Sequence, residues 1–159
     1  MSTQLRRMDE ADYERFRETS ISEYAQANID AGRWPVQAAL ERSREAYERL
    51  LPKGLKTPGQ HLFNIHDDLQ GVDVGVLWLA VTEQPGGLPS GYVYDVAIYP
   101  PHRRQGHARA AFVALETLGR EMGLAEIGLH VFWNNEGAQA LYRSLGYEPT
   151  GINMHKKLG

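Results

Sequence analysis

The segment Arg103-Arg104-Gln105-Gly106-His107-Ala108 carries the densest chemical signal in the chain. It follows Pro100-Pro101 and precedes Ala108, Ala111, Phe112, Leu115, Leu118 and Met122, which repeat at helical spacing. The hexapeptide therefore forms the turn into a helix. A helix start presents unpaired N–H groups and a positive partial charge, which together attract anions. Gly106 lets a phosphate approach the backbone, Ala108 adds little bulk, and Arg103, Arg104 and Arg109 add charge. No Gly-Lys-Ser/Thr ending follows, which argues against a metal–nucleotide loop. The plain alternative is a glycine that only starts a helix.

Three further residues could do chemistry. Asn135 lies between a strand-like and a helix-like segment, where Asn is a common cap. Tyr142 shares an apolar helical stripe with Ala138, Leu141 and Leu145, so its ring reads as core with the hydroxyl at the edge. Asp95 is the one carboxylate within Tyr92–Tyr99, beside Tyr92 and Tyr94. Strict alternation would turn Asp95 away from Tyr94. Its alternative role is an ion pair or a strand-end hydrogen bond. His130 alternates with Leu129 and Val131 and reads as a sheet histidine; His61, His66, His102 and His155 show no metal-ligand spacing.

On these residues the chain resembles the GCN5-related N-acetyltransferases (GNAT), in their small, single-domain bacterial form. The family's acetyl-CoA signature, Arg/Gln-x-x-Gly-x-Gly/Ala, is similar to Arg103-x-x-Gly106-x-Ala108. Its next block, Asn-x-x-Ala-x-x-Leu-Tyr-x-x-x-Gly-Phe/Tyr, is similar to Asn135, Ala138, Leu141, Tyr142, Gly146 and Tyr147. The element order agrees from about Gln4 to Leu158. The resemblance implies acetyl transfer from acetyl-CoA to a primary amine within a ternary complex. It places pantetheine along Val96, Ala97 and Ile98, and the pyrophosphate on Arg103, Arg104, Gln105, Gly106, His107, Ala108 and Arg109, mostly through main chain. Asn135 and Ala138 would flank the cofactor. Tyr142 would donate to the departing thiolate, and Tyr24, Trp34, Tyr92 and Tyr94 would line the acceptor cleft. Many family members carry a Glu on the strand before the signature loop. This chain does not, so Asp95 or a water chain along Tyr92 and Tyr94 must accept the amine's proton. A protein N-terminus or lysine as acceptor, or an acyl-CoA-binding module without turnover, are the other readings.

The elements that must hold these residues read as follows. Gln4–Arg7 suits a short edge strand. Asp9 caps a helix from Glu10 to about Asp30 carrying Tyr13, Phe16, Ser20 and Tyr24, which Gly32 and Pro35 break. A second helix follows, with Val36, Ala39, Leu40, Ser43, Tyr47, Leu50 and Leu51 on one stripe. Strands are expected at His61–His66, Val74–Val81 and Tyr92–Tyr99; the continuous apolar run of the middle one suits burial on both faces. A helix over 106–122 and a strand at Ile127–Phe132 complete a βαβ crossover, which makes its two strands parallel. A short helix ends at Gly146, and Tyr147–Leu158 should supply one or two last strands. The fold class is α/β: a mixed, mostly antiparallel sheet with helices on both faces, in one domain over residues 1–159.

Composition bounds the function. The chain has 159 residues, no cysteine and a formal charge of −3. That length buries a core without staples. Without cysteine there is no disulfide framework, thiolate zinc site or cysteine nucleophile. The N-terminus has no apolar secretory run and no stretch reaches the length of a membrane span, so a cytoplasmic location and no membrane partner are expected. The negative charge argues against nucleic acid as a partner. Residues 1–90 carry a net −4 and residues 91–159 a net +1, which suits an anion site in the second part. No metal is expected, and a homodimer is open.

Overall fold

The computed structural model describes residues 3–159. These form two compact units, one ending at Leu129 and one running His130–Gly159. The first unit holds a five-stranded sheet in the order β1-β2-β3-β4-β5, with β1 Thr3–Arg7, β2 Gln60–Asp67, β3 Val72–Thr82, β4 Ser90–Ile98 and β5 Ile127–Leu129. The first four pair antiparallel and β5 runs parallel to β4, as the βαβ length requires.

Helix α1 spans Glu10–Asp30 and starts in a capping box, in which the Asp9 side chain accepts from Asp12 N–H and Asp12 answers at Asp9 N–H. Tyr13 and Phe16 of α1 pack with Met8, Leu51, Leu62, Val76 and Trp78 on one face of the sheet. Helix α2, Val36–Leu50, lies on α1 through small residues: Ser43 is fully buried, and its hydroxyl donates to Ile21 O at 2.6 Å. The broad apolar stripe expected of α2 is narrower in the structure. Ala39, Ser43 and Leu51 are buried, whereas Val36, Leu40 and Leu50 are exposed. Close approach through Ala39 and Ser43 leaves the flanks of the stripe in solvent.

Helix α3, His107–Glu121, covers the other face, where Ala111, Phe112 and Leu115 are fully buried. A Cβ on Gly119 would stand 3.1 Å from Ile127, and one on Gly91 would meet Leu124 and Leu79. Alternation along β3 thus sends Val76 and Trp78 to α1 and Leu77 and Leu79 to the opposite face. Its continuous apolar run follows from burial on both sides.

The second unit contains α4, Glu136–Ser144, which ends before Gly146 at φ +95°. Two expectations fail here. The strand at Ile127–Phe132 stops at Leu129, and His130 is exposed rather than seated in the sheet. No strand forms in 147–159, where Ile152, Met154 and Leu158 are exposed. Pro149 and Gly151 interrupt that segment, and its apolar residues gain a fixed register only from a partner strand.

Candidate active site

The site begins at a defect in β4. Leu79 pairs with Val93, whereas Trp78 pairs with Asp95, so Tyr94 is an extra residue in the ladder. A bulge re-aims the side chains that follow it. It brings Asp95 to the face of Trp78, the face that α1 covers, which overturns the simple alternation expected for this strand.

The other edge of β4 opens at the same place. Strand β5 pairs with Gly91, Tyr92 and Val93 only. From Tyr94 to Ile98, β4 has no ladder partner on that side among the described residues. On an open edge every second residue turns its N–H and C=O outward, where an extended ligand can pair with them. The opposite edge is held tightly to β3. A Cβ on Gly75 would lie 2.1 Å from Ala97 O and 3.1 Å from Ile98 Cα, so only glycine permits this approach. Gly75 was not singled out from sequence, although a glycine inside a strand run signals close backbone approach.

The chain then turns through a short 3-10 turn, Pro100–His102, into the basic loop. Arg103 Nε donates to Ile98 O at 2.8 Å, fastening the loop to the end of β4. Arg104 has φ +62°, the one non-glycine in the left-handed region among the described residues, and Gly106 follows at φ +84°. Gly106 is the N-cap of α3 and supplies no capping side chain. The first α-helical bond runs from Ala110 N–H to Gly106 O, so the amides of His107, Ala108 and Arg109 precede the helix ladder. Arg103, Arg104, Gln105, Gly106 and Arg109 are exposed, whereas the His107 side chain is buried at 5% exposure.

Asp95 stands among aromatic rings. Tyr92 meets Tyr94 at 5.2 Å between ring centroids, Tyr94 meets Trp78 at 4.9 Å, and Trp78 meets Tyr47 at 6.0 Å. Tyr47 meets Tyr24 at 6.2 Å, and Tyr24 meets Trp34 at 5.4 Å. The chain of rings runs from β4 across β3 to the α1–α2 turn. Trp34 is positioned by Asn28, whose carbonyl accepts the N–H of Arg33 at 3.0 Å and of Trp34 at 3.4 Å. The buried Asn28 side chain also accepts from Arg33 Nε at 2.9 Å. Tyr47 was expected only as part of a core stripe; here it is a rung between Trp78 and Tyr24. Burial pushes the Asp95 carboxyl up to about 6, the charge of Glu23 adds to this, and a hydrogen bond from Val96 N–H opposes it. Burial, with Asp95 nearby, pushes Tyr47 up to about 12.

In the second unit Asn135 is the N-cap of α4, and its Oδ1 accepts from Ala138 N–H at 3.1 Å. Tyr142 is partly buried one helical turn on from Ala138, 6.0 Å from the Tyr147 ring in an edge contact, and burial raises its pKa above the ordinary value.

Known proteins share this architecture. The profile of the Acetyltransferase (GNAT) family matches residues 25–147. The uncharacterized N-acetyltransferase YdgE of Bacillus subtilis is 35% identical, over 99% of both chains. YycN of the same organism, also an uncharacterized N-acetyltransferase, is 33% identical over 99% of this chain and 100% of its own. The crystal structure of YycN superposes with a TM-score of 0.86 over 98% of each chain. At 19% identity, AAC(6')-Iy in complex with the bisubstrate analog CoA-S-monomethyl-acetylneamine shares the fold, with a TM-score of 0.62 over 100% of this chain and 99% of that one. With a profile match over most of its length and full-length relatives of this kind, the chain belongs to the GNAT family of acetyltransferases.

Proposed function

We propose that this acetyltransferase moves an acetyl group from acetyl-CoA to the primary amine of a small cationic molecule, by direct attack within a ternary complex. The open edge of β4 over 94–98, continuous with the left-handed loop at Arg104–Gly106, carries this reading. An extended chain bearing amides, as pantetheine does, can run along Val96, Ala97 and Ile98 and pair with the main-chain groups that this edge turns outward. Its pyrophosphate then reaches the amides from Arg104 to Arg109, and Gly106 leaves room for it.

Bound acetyl-CoA supplies the activated acyl carbon. The protein positions it, and an N–H near Val96–Ile98 would stabilise the oxyanion. Asp95 accepts the amine's proton. With its pKa near 6 it is about 90% ionised at pH 7, and a pKa close to the working pH suits a general base. Tyr142 donates a hydrogen bond to the departing sulfur. With no cysteine in the chain, no cysteinyl acyl-enzyme can form.

The acceptor reading rests on Glu23 and Asp95, two carboxylates close enough to influence each other, beside the rings of Tyr24, Trp34, Tyr47 and Tyr94. Aromatic faces and carboxylates together favour a cation. AAC(6')-Iy, in complex with its CoA-S-monomethyl-acetylneamine analog, illustrates the same fold holding a CoA-linked ligand.

Calorimetry with CoA, followed by release of free CoA thiol across a panel of amines, tests the proposal. Wild-type protein should bind CoA and turn over small amines, and Gly106→Asp should bind none, because it adds bulk and like charge at the pyrophosphate. Unchanged affinity in a folded Gly106→Asp overturns the cofactor assignment. Turnover confined to peptides overturns the acceptor class.

A further inference from the structure

The His107 side chain does not face the loop it belongs to. It turns inward to a buried polar cluster in the first unit. Its Nδ1 lies 3.3 Å from Thr3 Oγ1 on β1, and its Nε2 lies 4.0 Å from Asp67 Oδ2 at the end of β2. His107 and Asp67 are each only 5% exposed. Asp67 Oδ1 accepts from Leu69 N–H at 2.9 Å, while His107 Nε2 is buried with no hydrogen-bond partner. The ring also meets His102 edge-on, with centroids 6.4 Å apart.

We propose that His107 is a positioning residue for the CoA loop, clamping both ends of residues 103–106 to the β1–β2 corner of the sheet. The inference rests on the reading of that loop as the pyrophosphate site. Its outward amide and inward imidazole belong to one residue, so wherever the ring is held, the N–H at the start of α3 is held too. The contact with His102 ties the entry of the loop to its exit. Asp67 also selects the tautomer. With the proton on Nδ1, the Nε2 lone pair would face a carboxylate in a buried setting, where like partial charges repel strongly. With the proton on Nε2, the N–H faces Asp67 and the Thr3 hydroxyl donates to Nδ1. The second arrangement leaves neither group opposed. Leu or Ile would fill the same volume without holding an orientation. A loop that must present several amides to two phosphates gains from that restraint, because small misplacements of binding groups are costly.

The test compares His107→Leu with His107→Gln. Glutamine keeps an N–H donor near the Nε2 position and leucine keeps only bulk. CoA affinity by calorimetry should fall about tenfold or more in His107→Leu, and stay within about threefold of wild type in His107→Gln. Equal losses in both variants, or none in His107→Leu, overturn the proposal, since a purely space-filling side chain gains nothing from the glutamine donor. Should His107→Leu fail to fold, Asp67→Asn serves. It keeps an acceptor for Leu69 N–H and removes the charge, so CoA affinity should drop while unchanged affinity overturns the clamp. Wild-type protein that binds no CoA sinks the loop assignment itself; normal wild-type binding with an indifferent His107 sinks only this inference.

Discussion

Trp78 sits opposite Asp95 across the β3–β4 ladder, although its neighbour Leu79 sits opposite Val93. The extra residue, Tyr94, is what brings a carboxylate onto the same face as the aromatic rings. A regular strand would put Asp95 on the far face from Trp78, beneath α3. The bulge also marks the point beyond which β5 no longer pairs with β4. One irregularity thus accompanies both the base candidate and the open edge.

Asp95→Asn should lower turnover by roughly 100-fold or more and leave CoA affinity intact, because the base acts on the amine and not on the cofactor. In wild type, turnover should climb as pH rises through about 6, where Asp95 loses its proton. The variant should lose that limb. If the limb survives in Asp95→Asn, a water chain along Tyr92 and Tyr94 carries the proton instead.

The same residue should cost stability. Burial raises the Asp95 pKa from 3.8 to about 6, so folding favours its protonated form. Its favourable contribution is fully present below the unfolded value near 4 and is lost as pH rises through about 6. At pH 8 the ionised carboxylate then costs on the order of 2–3 kcal/mol. Asp95→Asn, neutral throughout, should be more stable than wild type at pH 8 in urea denaturation, and the gain should vanish near pH 4. Equal stability at pH 8 would mean that the carboxylate is well solvated. A variant both slower and more stable fits a catalytic group held in an unfavourable place.

Gly75→Ala should disturb the site from the opposite side of β4. The new Cβ would stand 2.1 Å from Ala97 O, a backbone atom that cannot rotate away. Either strand must move, at a cost of typically 1–3 kcal/mol for an overpacked interior. Ala97 lies between Val96 and Ile98 of the open edge, so a shift of its backbone carries both neighbours with it, and CoA affinity should fall along with the melting temperature. A melting temperature and CoA affinity both equal to wild type would show that β3 yields freely and that Gly75 has no bearing on the edge.

Much of this was legible in the residues. The Asp9 cap, the breaks at Gly32 and Pro35 and the double-sided apolar run of β3 each follow from local chemistry, and from β1 to α4 the elements fell within a few residues of expectation. The left-handed loop was signalled by Gly106, but Arg104 at φ +62° was not, because arginine has no preference for that region. The bulge at Tyr94 was also silent, since YVYDV alternates as cleanly as a regular strand and only pairing with β3 reveals the extra residue. His107 read as one more residue of the pyrophosphate loop, acting through main chain, and the inward turn of its side chain depends on Thr3 and Asp67, far away in sequence. The expected strands after Tyr147 lacked any local feature that would supply a partner.

Tyr142→Phe tests the acid. An ordinary tyrosine has a pKa near 10 and a thiol one near 8.5, so full proton transfer to a departing thiolate is already uphill by about 2 kcal/mol. Burial raises Tyr142 further, which widens that gap and favours a hydrogen bond over a free tyrosinate. The variant keeps the ring, its place on α4 and its edge contact with Tyr147. Its stability should therefore fall by no more than about 1 kcal/mol, the worth of an ordinary hydrogen bond. Loss of a donor to developing charge should cost about 2–4 kcal/mol in the transition state, or roughly 30- to 1000-fold in rate. Because that charge exists mainly in the transition state, kcat should carry the loss and KM should change little. An acetyl thioester with a more acidic leaving thiol should recover part of the rate, since its thiolate needs less help. Near wild-type turnover in Tyr142→Phe, with the chemical step rate-limiting, would reduce Tyr142 to a packing residue and require the thiolate to leave without a protein donor.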